Sequence, residues 1–504
     1  MQSRRDQVQA HLFVMSRVAS GMLRAEPDAP DTPVARTTRG AAVGLAIGLL
    51  IGVGAGVYGL VKPGGATGWK KPGTLVVVEE SGARYLYAGG QLRPVLNQAS
   101  ARLLAGDQFR SVTVSSASLD GVARGAVVGL VGAPDGLPSD RDLGQGADWS
   151  ACAVQAGGPT GGPTGGQTGG QAAPGARAVP QLSLAIGLRQ GGRPLGDEQA
   201  VLLAGPDGVP QLVWRGRRLR VDTGNGGLRA LGYGGATPYP VTAGFLDTLP
   251  VGPDLRAPEL PGRGTAGPAL AGRTTRIGQL FTGPGGERYL LAGDGLVPLA
   301  ETLFQLVQGD PRIQQEAYGG APVTPGPVGP ADLAAHLAPA PAAAPWAGSE
   351  LPPRPPQLAA VGQGQVPCAE LRPGAGPAAV AVGLLDAAAV AGQPPAAQPG
   401  VAPACNGADR IVVRPGGGSL ARAVTGAGTG STLYLVTDTG VKYPLPSPAT
   451  ARLLGYTKAA PAAVPTRLLG LLPTGPSLDP AALTGGGVVD NPAANPVNTN
   501  PCGG

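Results

Sequence analysis

Cysteine offers the most chemistry in this sequence. Cys152, Cys368, Cys405 and Cys502 are its only four thiols. No two stand at C-x-x-C spacing, and only His11 and His336 could complete a metal set, so a zinc site is not expected. An even number of thiols reads as disulfides in an oxidising compartment, and four allow three pairings. Other reactive patterns are missing. None of the five lysines (62, 70, 71, 442 and 458) follows a glycine, so there is no phosphate-cradling GxxxxGK loop. GxSxG and HExxH do not occur. Neither histidine is framed by a Ser or Cys nucleophile. Glu79-Glu80 and Asp197-Glu198 read as surface charges rather than an acid/base pair. The sequence therefore predicts no catalytic residue, no cofactor and no metal.

The elements that would have to position any site are organised around residues 41–61. This run of 21 positions carries no charge. As a helix it covers ~30 Å, the hydrocarbon thickness of a bilayer. It is too long, and begins too far from the N-terminus, for a secretory signal peptide. Gly44, Gly48, Gly52 and Gly56 recur every fourth residue and share one face, the spacing that lets two helices approach closely in lipid. Before the span, residues 3–24 read as an amphipathic helix that Ser3 can cap. Its apolar stripe is Val8, Leu12, Met15, Ala19 and Met22, ringed by arginines. That stripe suits a cytosolic partner or the inner leaflet. Arg36 and Arg39 on one side of the span balance Lys62, Lys70 and Lys71 on the other, so charge barely fixes topology. All four cysteines follow the span, which places the large portion outside the cytosol.

Composition restrains the remaining readings. The net charge is +6 over 504 residues, and the other 33 basic residues are arginine, scattered except at RGRRLR, 215–220. Such mild, dispersed charge argues against nucleic acid, and the cluster reads as a solvated hairpin face. The 86 glycines and 55 prolines concentrate in low-complexity stretches, above all the loop 157–178.

Beyond the span the chain repeats itself. GARYLYAGGQLRPV at 82–95 aligns without gaps with GERYLLAGDGLVPL at 286–299. LGYGGATPYPVTAGFLDTLPVGPDL at 231–255 aligns likewise with LGYTKAAPAAVPTRLLGLLPTGPSL at 454–478. Each copy belongs to a hairpin followed by a short helix. The fold class expected is α+β: one N-terminal transmembrane helix, then an extracytoplasmic region with a central β domain and four β-hairpin/helix modules. The expected segments are the cytosolic arm 1–40, the span 41–61 and module 1 at 62–108. The central domain's first half follows at 109–205, with strands at 110–115, 125–132 and 182–188. Modules 2 and 3 are 206–262 and 263–330. A Pro/Ala-rich stretch and the second central half occupy 331–425, with strands at 378–385 and 409–415. Module 4 is 426–480, and the tail is 481–504.

The order of these features resembles one family. SRRDQVQAHLFVMSRVASGMLR at 3–24, one span, GARYLY at 82–87, WSACAV at 149–154, PCAEL at 367–371, and LVTDTGVKYPLPS running to LLPTGPSLDP at 435–480 are similar to EccB. EccB is a core membrane component of the actinobacterial type VII (ESX) secretion machine. The resemblance implies a cytosolic arm, a single pass through the plasma membrane and a periplasmic region. It also implies EccC, EccD and EccE as partners, self-association of the outer domain, and a scaffolding role. Two alternatives remain beside it: an ATP-hydrolysing subunit, a label the family sometimes carries, and a cell-wall-binding module.

The two-half arrangement also bears on the cysteines. Cys152 follows the first half's strands and Cys368 precedes the second half's, so the two should meet if the halves build one domain. Cys405 and Cys502 would then pair by elimination. Topology is directly testable. A reporter active only outside the cytosol should work when fused after Pro480 and fail when fused before Arg36; the opposite pattern would reverse the orientation.

Overall fold

Four small sheets share one wiring, and it follows from the repeated hairpins. In a computed structural model the chain is described over residues 4–24, 33–61, 67–143, 148–156, 178–188, 192–339, 350–372, 379–425 and 428–494. Module 1 holds β1 (Thr74–Val78), β2 (Arg84–Ala88), β3 (Gln91–Pro94) and β4 (Arg110–Val114). Module 2 holds β9 (Gln199–Ala204), β10 (Pro210–Trp214), β11 (Arg217–Arg220) and β12 (Tyr239–Pro240). Module 3 holds β13 (Leu280–Thr282), β14 (Arg288–Ala292), β15 (Gly295–Pro298) and β16 (Gly326–Pro327). Module 4 holds β21 (Gly418–Thr425), β22 (Gly428–Thr437), β23 (Lys442–Leu445) and β24 (Ala462–Pro465). Each sheet runs third–second–first–fourth, and the fourth strand lies parallel to the first. A parallel return cannot be made by a tight turn, so each module spends a crossover on it. Short helices occupy these crossovers: α4 (Gly227–Ala230) in module 2, α6 (Glu301–Gly309) and α7 (Pro311–Ala317) in module 3, and α9 (Pro448–Leu453) in module 4.

The turns explain some of the glycine. Arg215 and Gly216 join β10 to β11 with φ of 47° and 72°, the left-handed pair a two-residue hairpin needs. At Gly216 a Cβ would lie 1.8 Å from the Val380 carbonyl oxygen, so both backbone conformation and close approach require glycine.

The central sheet is six-stranded, in the order β20-β7-β6-β18-β19-β8. Its first half supplies β6 (Trp149–Ala156), β7 (Val179–Ile186) and β8 (Arg193–Pro194). Its second half supplies β18 (Gln365–Arg372), β19 (Ala379–Asp386) and β20 (Arg410–Val413). Modules 2 and 3 and the short β17 (Gln357–Leu358), which pairs with β9, lie between the halves in sequence. Both faces are covered, as alternation along β6 requires. Trp149, Ala151 and Ala153 enter a core shared with residues of modules 2 and 4, while Cys152 and Val154 face the other way with Ala185, Val366 and Leu385. Cys152 stands opposite Cys368 in the β6–β18 register, at a Cα separation of 4.1 Å, and the two sulfurs are bonded. Cys405 is disulfide-bonded as well; Cys502 lies outside the described residues.

Several boundaries differ from expectation. The strand at 110–114 joins module 1 rather than the central sheet. Of 125–132 only β5 (Gly129–Leu130) is a strand, and it pairs with β25 (Val488–Val489) from the tail. Period-2 patterning identifies a strand's buried face, not the sheet that receives it, so both segments read equally well as central. Module 2 begins at β9 and module 4 at β21, each one strand earlier than the repeat suggested. The helix α3 (Gln98–Ala105) does not serve module 1. Its Ala99 and Leu103 enter the module 4 core beside Leu433, Tyr443 and Tyr456. Asn97 caps it and also donates to the Leu130 carbonyl at 2.8 Å. The Pro/Ala-rich stretch contributes α8 (Pro330–His336), started by proline at its first turn with Asp332 beside it. The glycine-rich loop lies outside the described residues except for its last position.

The arm forms α1 (Arg4–Arg24), and the apolar run lies in α2 (Pro33–Val61), which starts eight residues before the expected span. Module 2 also carries α5 (Ala243–Thr248), capped by Thr242, and module 4 ends in α10 (Thr466–Leu469). By contacts the chain falls into two units, 1–92 with 110–124 and 93–109 with 125–504. In the second unit, modules 2 and 3 share one core: Leu212, Trp214 and Leu219 pack in a cluster with Leu280, Leu290 and Phe304. Sheets of so few strands are marginal alone, which is why they are built in shared cores.

The disulfide closes a loop of 216 residues. Replacing both Cys152 and Cys368 by serine should cost about 2–5 kcal/mol. Thermal unfolding of the portion that follows α2 should show the melting temperature falling, against little change for Cys502→Ser.

Candidate interaction surfaces

The residues that stood out in the sequence are mostly structural. Trp149 is fully buried, and its Nε1 donates to Ser419 Oγ of β21 at 3.3 Å, tying the central sheet to module 4. Lys442 lies on β23 within the VKYPLPS segment. Its Nζ donates to the carbonyls of Leu469 at 2.6 Å and Leu472 at 3.0 Å, the last turn of α10 and the residues just beyond. Burial pulls its pKa down to about 8. Tyr443 beside it in sequence is pushed up to about 12 by burial.

Charge is similarly consumed within the fold. In RGRRLR, Arg215 meets Asp197 at 3.2 Å, Arg218 meets Asp247 at 3.4 Å and Arg217 pairs with Glu350. Most of this cluster's charge is therefore matched locally, against a role in binding an anionic surface. Arg312 bridges Asp310 and Glu259, both at 2.8 Å, and these contacts raise its pKa further. Arg263 grips Glu316 with two hydrogen bonds of 2.9 and 3.0 Å. Glu80 accepts from the Ser116 backbone at 2.9 Å, and backbone hydrogen bonds hold its carboxyl below the usual range. No cluster among the described residues could hold a metal ion. His11 lies on α1 and His336 ends α8.

Exposed apolar surface is concentrated on the two N-terminal helices. Val8, Leu12, Met15 and Met22 are 59%, 63%, 57% and 83% exposed, and Ala19 is exposed too. The apolar surface is wider than the stripe read from the sequence. Val14 and Val18 extend it on one side, and Phe13 lies off it. In α2 the window Thr37–Tyr58 has a mean hydropathy of 2.1 and no buried share. A Cβ added at Gly44, Gly48, Gly52 or Gly56 would meet nothing within 4 Å, so the glycine face is open in a single copy. A smaller group missed in the sequence is Leu96, Val127 and Val488, all more than 40% exposed beside β5. Its only signal was a valine in a tail that otherwise reads as linker.

These surfaces are presented by a chain whose profile match is nearly complete. The profile of a family described as "Type VII secretion system ESX-1, transport TM domain B" matches residues 1–486. The chain belongs to the EccB family. Among curated EccB relatives, the ESX-3 secretion system ATPase EccB3 of Mycolicibacterium smegmatis is 27% identical over 459 residues, 87% of this chain and 82% of that protein. EccB3 of Mycobacterium tuberculosis is 28% identical over 465 residues, 87% of this chain and 80% of that protein. Among solved structures, a chain of an intact ESX-5 inner membrane complex superposes with a TM-score of 0.61 at 24% identity, covering 95% of each chain. A chain of the EccB3 dimer from the ESX-3 core complex gives 0.61 at 24% identity, over 81% of this chain and 98% of that one. At such identity these two establish the EccB fold. The segments that resemble the family thus include both the exposed arm at 3–24 and buried strands such as WSACAV and PCAEL.

Lys442 supplies a pH test. Its folded pKa lies below its ordinary 10.5, so between pH 8 and 10.5 the unfolded chain binds more protons and stability should rise with pH. Tyrosines raised by burial act oppositely above pH ~10, which leaves pH 8–10 as the window. Denaturation across it should show a gain of at most about 3 kcal/mol. Lys442→Met should flatten that slope and lower stability at pH 7.5, because two buried carbonyls lose their donor.

Proposed function

We propose that this protein is a structural membrane subunit of a type VII secretion complex, anchoring and scaffolding the inner-membrane pore and its periplasmic face. The observation that carries the reading is the family match from residue 1 to 486, which takes in arm, span and outer region together. The exposed helices support it. An arm with apolar residues along most of its length and a span with an open glycine face are surfaces made for neighbours. The named neighbours are EccC, EccD and EccE, with the arm on the cytosolic side and the modules outside. A relative described as a dimer supports self-association. Cys405 is assigned to Cys502, which would tie the tail back to the stretch before module 4.

The name ATPase carried by the relatives suggests a rival activity. The sequence offers it no phosphate-binding loop, and ATP turnover by the purified outer region would be the result in its favour. A wall-binding role would need a cleft. Module 3 has one of about 270 Å³, lined by Arg273, Thr274, Gln279, Phe281, Tyr318 and Thr324, and retention on peptidoglycan would support that role.

Purification from gently solubilised membranes tests the scaffold. Other type VII membrane subunits should co-purify with the full chain. Gly48→Ile with Gly52→Ile should leave insertion intact and reduce the assembled complex several-fold. Leu12→Asp with Met15→Asp should release a cytosolic neighbour without changing the outer region's melting. Undiminished recovery of every partner in both variants would remove the arm and the span face from the assembly.

A further inference from the structure

The four modules differ in how they treat their edges. A sheet edge presents unpaired N–H and C=O groups, and stable proteins cover or blunt it. On the hairpin side all four modules are covered by a returning segment. Leu92 bridges to Arg124, Arg218 to Val251, Leu296 to Leu337 and Lys442 to Thr474. On the other side, the fourth strands of modules 2, 3 and 4 all end in proline, at Pro240, Pro327 and Pro465, and two of them are only two residues long. β12 is also held by the central sheet, with Gln155 Nε2 donating to the Pro240 carbonyl at 2.8 Å. β24 sends Ala462 and Val464 into the main core. Module 1 is the exception. Its β4 runs five residues as Arg-Ser-Val-Thr-Val without proline, the first four are exposed, and among the described residues it pairs only with β1.

The direction of its hydrogen bonds is fixed. Arg110 N donates to Gly73 O at 3.3 Å, and Val114 O accepts from Glu79 N at 2.9 Å. Residues 110, 112 and 114 therefore turn their backbone groups to β1, and Ser111 and Thr113 turn theirs to the open edge. Val112 is paired with the fully buried Val76 and lies on the core face of the sheet, yet it is 37% exposed. A core-face valine is left uncovered beside a free ladder.

We propose that this edge receives a second copy of the chain, the two β4 strands pairing antiparallel about Val112. This rests on the self-association proposed above and assigns its contact. The strand is self-complementary in that register. Ser111 faces Thr113 of the other copy twice, and these are the residues whose N–H and C=O point outward, giving four hydrogen bonds. Val112 meets its own counterpart on the core face, where both are uncovered. Arg110 falls opposite Val114, so no like charges oppose each other. The result is one continuous eight-stranded sheet. The chain also favours the encounter. Only residues 62–73 separate the end of α2 from β1, a reach of at most ~45 Å, so two copies anchored in one bilayer keep their first modules in one thin layer.

Cysteine cross-linking of the full chain in membranes tests this. At the centre of the register the Cα atoms would be ~4.5 Å apart, within disulfide range. Val112→Cys should give a disulfide-linked homodimer on oxidation, whereas Val251→Cys and Val179→Cys, exposed elsewhere, should not. Adding Thr113→Pro removes an outward N–H and leaves the β1 ladder intact, and should abolish the cross-link while the Cys152–Cys368 bond still forms. If Val112→Cys stays unlinked in a chain that is dimeric by light scattering in gentle detergent, this edge is not the contact and self-association stands elsewhere. If the unmodified chain is monomeric, self-association fails as well. Linkage of Val112→Cys to a different protein would overturn the second copy in favour of a foreign strand.

Discussion

The pairing of β6 with β18 is the constraint on which the larger unit depends. Strands separated by more than 200 residues lie side by side, with Cys152 bonded to Cys368 at one end of the shared ladder. That ladder lies at the centre of the sheet, and the outer pairings β7–β20 and β8–β19 join the same two halves on either side of it. Without it the core beneath Trp149, Leu184 and Leu371 would lose its floor, and the residues of modules 2 and 4 that pack there would face water. A covalent bond at this place acts on the unfolded chain, where so long a closure is otherwise entropically expensive. It suits a domain split by an insertion as large as modules 2 and 3.

Repetition of one wiring has a different logic. A hairpin with a parallel fourth strand is too small to bury a core alone, so each copy in the second unit borrows one. Modules 2 and 3 merge their apolar faces, and module 4 takes α3 from a segment more than 300 residues upstream. What differs among the copies is the treatment of their edges and the match of their charges. Arg312, Arg263 and three arginines of the 215–220 cluster all meet carboxylates. Among the described residues the large exposed apolar side chains sit chiefly on the two N-terminal helices. Charged side chains among the described residues are largely paired within the fold, and exposed apolar surface is greatest on α1 and α2.

Much of this was legible in the residues. The charge-free run at 41–61 gave a candidate span, because a helix that satisfies its own backbone in lipid needs such an uninterrupted apolar run. Gapless repeats with glycine turns gave four hairpin modules, because the turn residues dictate the reversal. WSACAV, PCAEL and VKYPLPS gave the family. The interaction surfaces were half legible: the arm's stripe was visible in its spacing, while Val14 and Val18 lay just beyond the narrow template used to read it.

What only the tertiary structure decided is who buries whom. The RSVTV strand alternates correctly for the central sheet and for module 1, and α3 is as amphipathic for one core as for another. Lys442 looks like any surface lysine until two backbone carbonyls enclose it. Local periodicity, turn chemistry and charge-free length are properties of neighbouring residues, so the sequence determines elements and the face each must hide. The partner that hides it is chosen by register and packing between residues hundreds of positions apart, such as Leu103 of α3 and Tyr443 of module 4, and no local pattern encodes that choice.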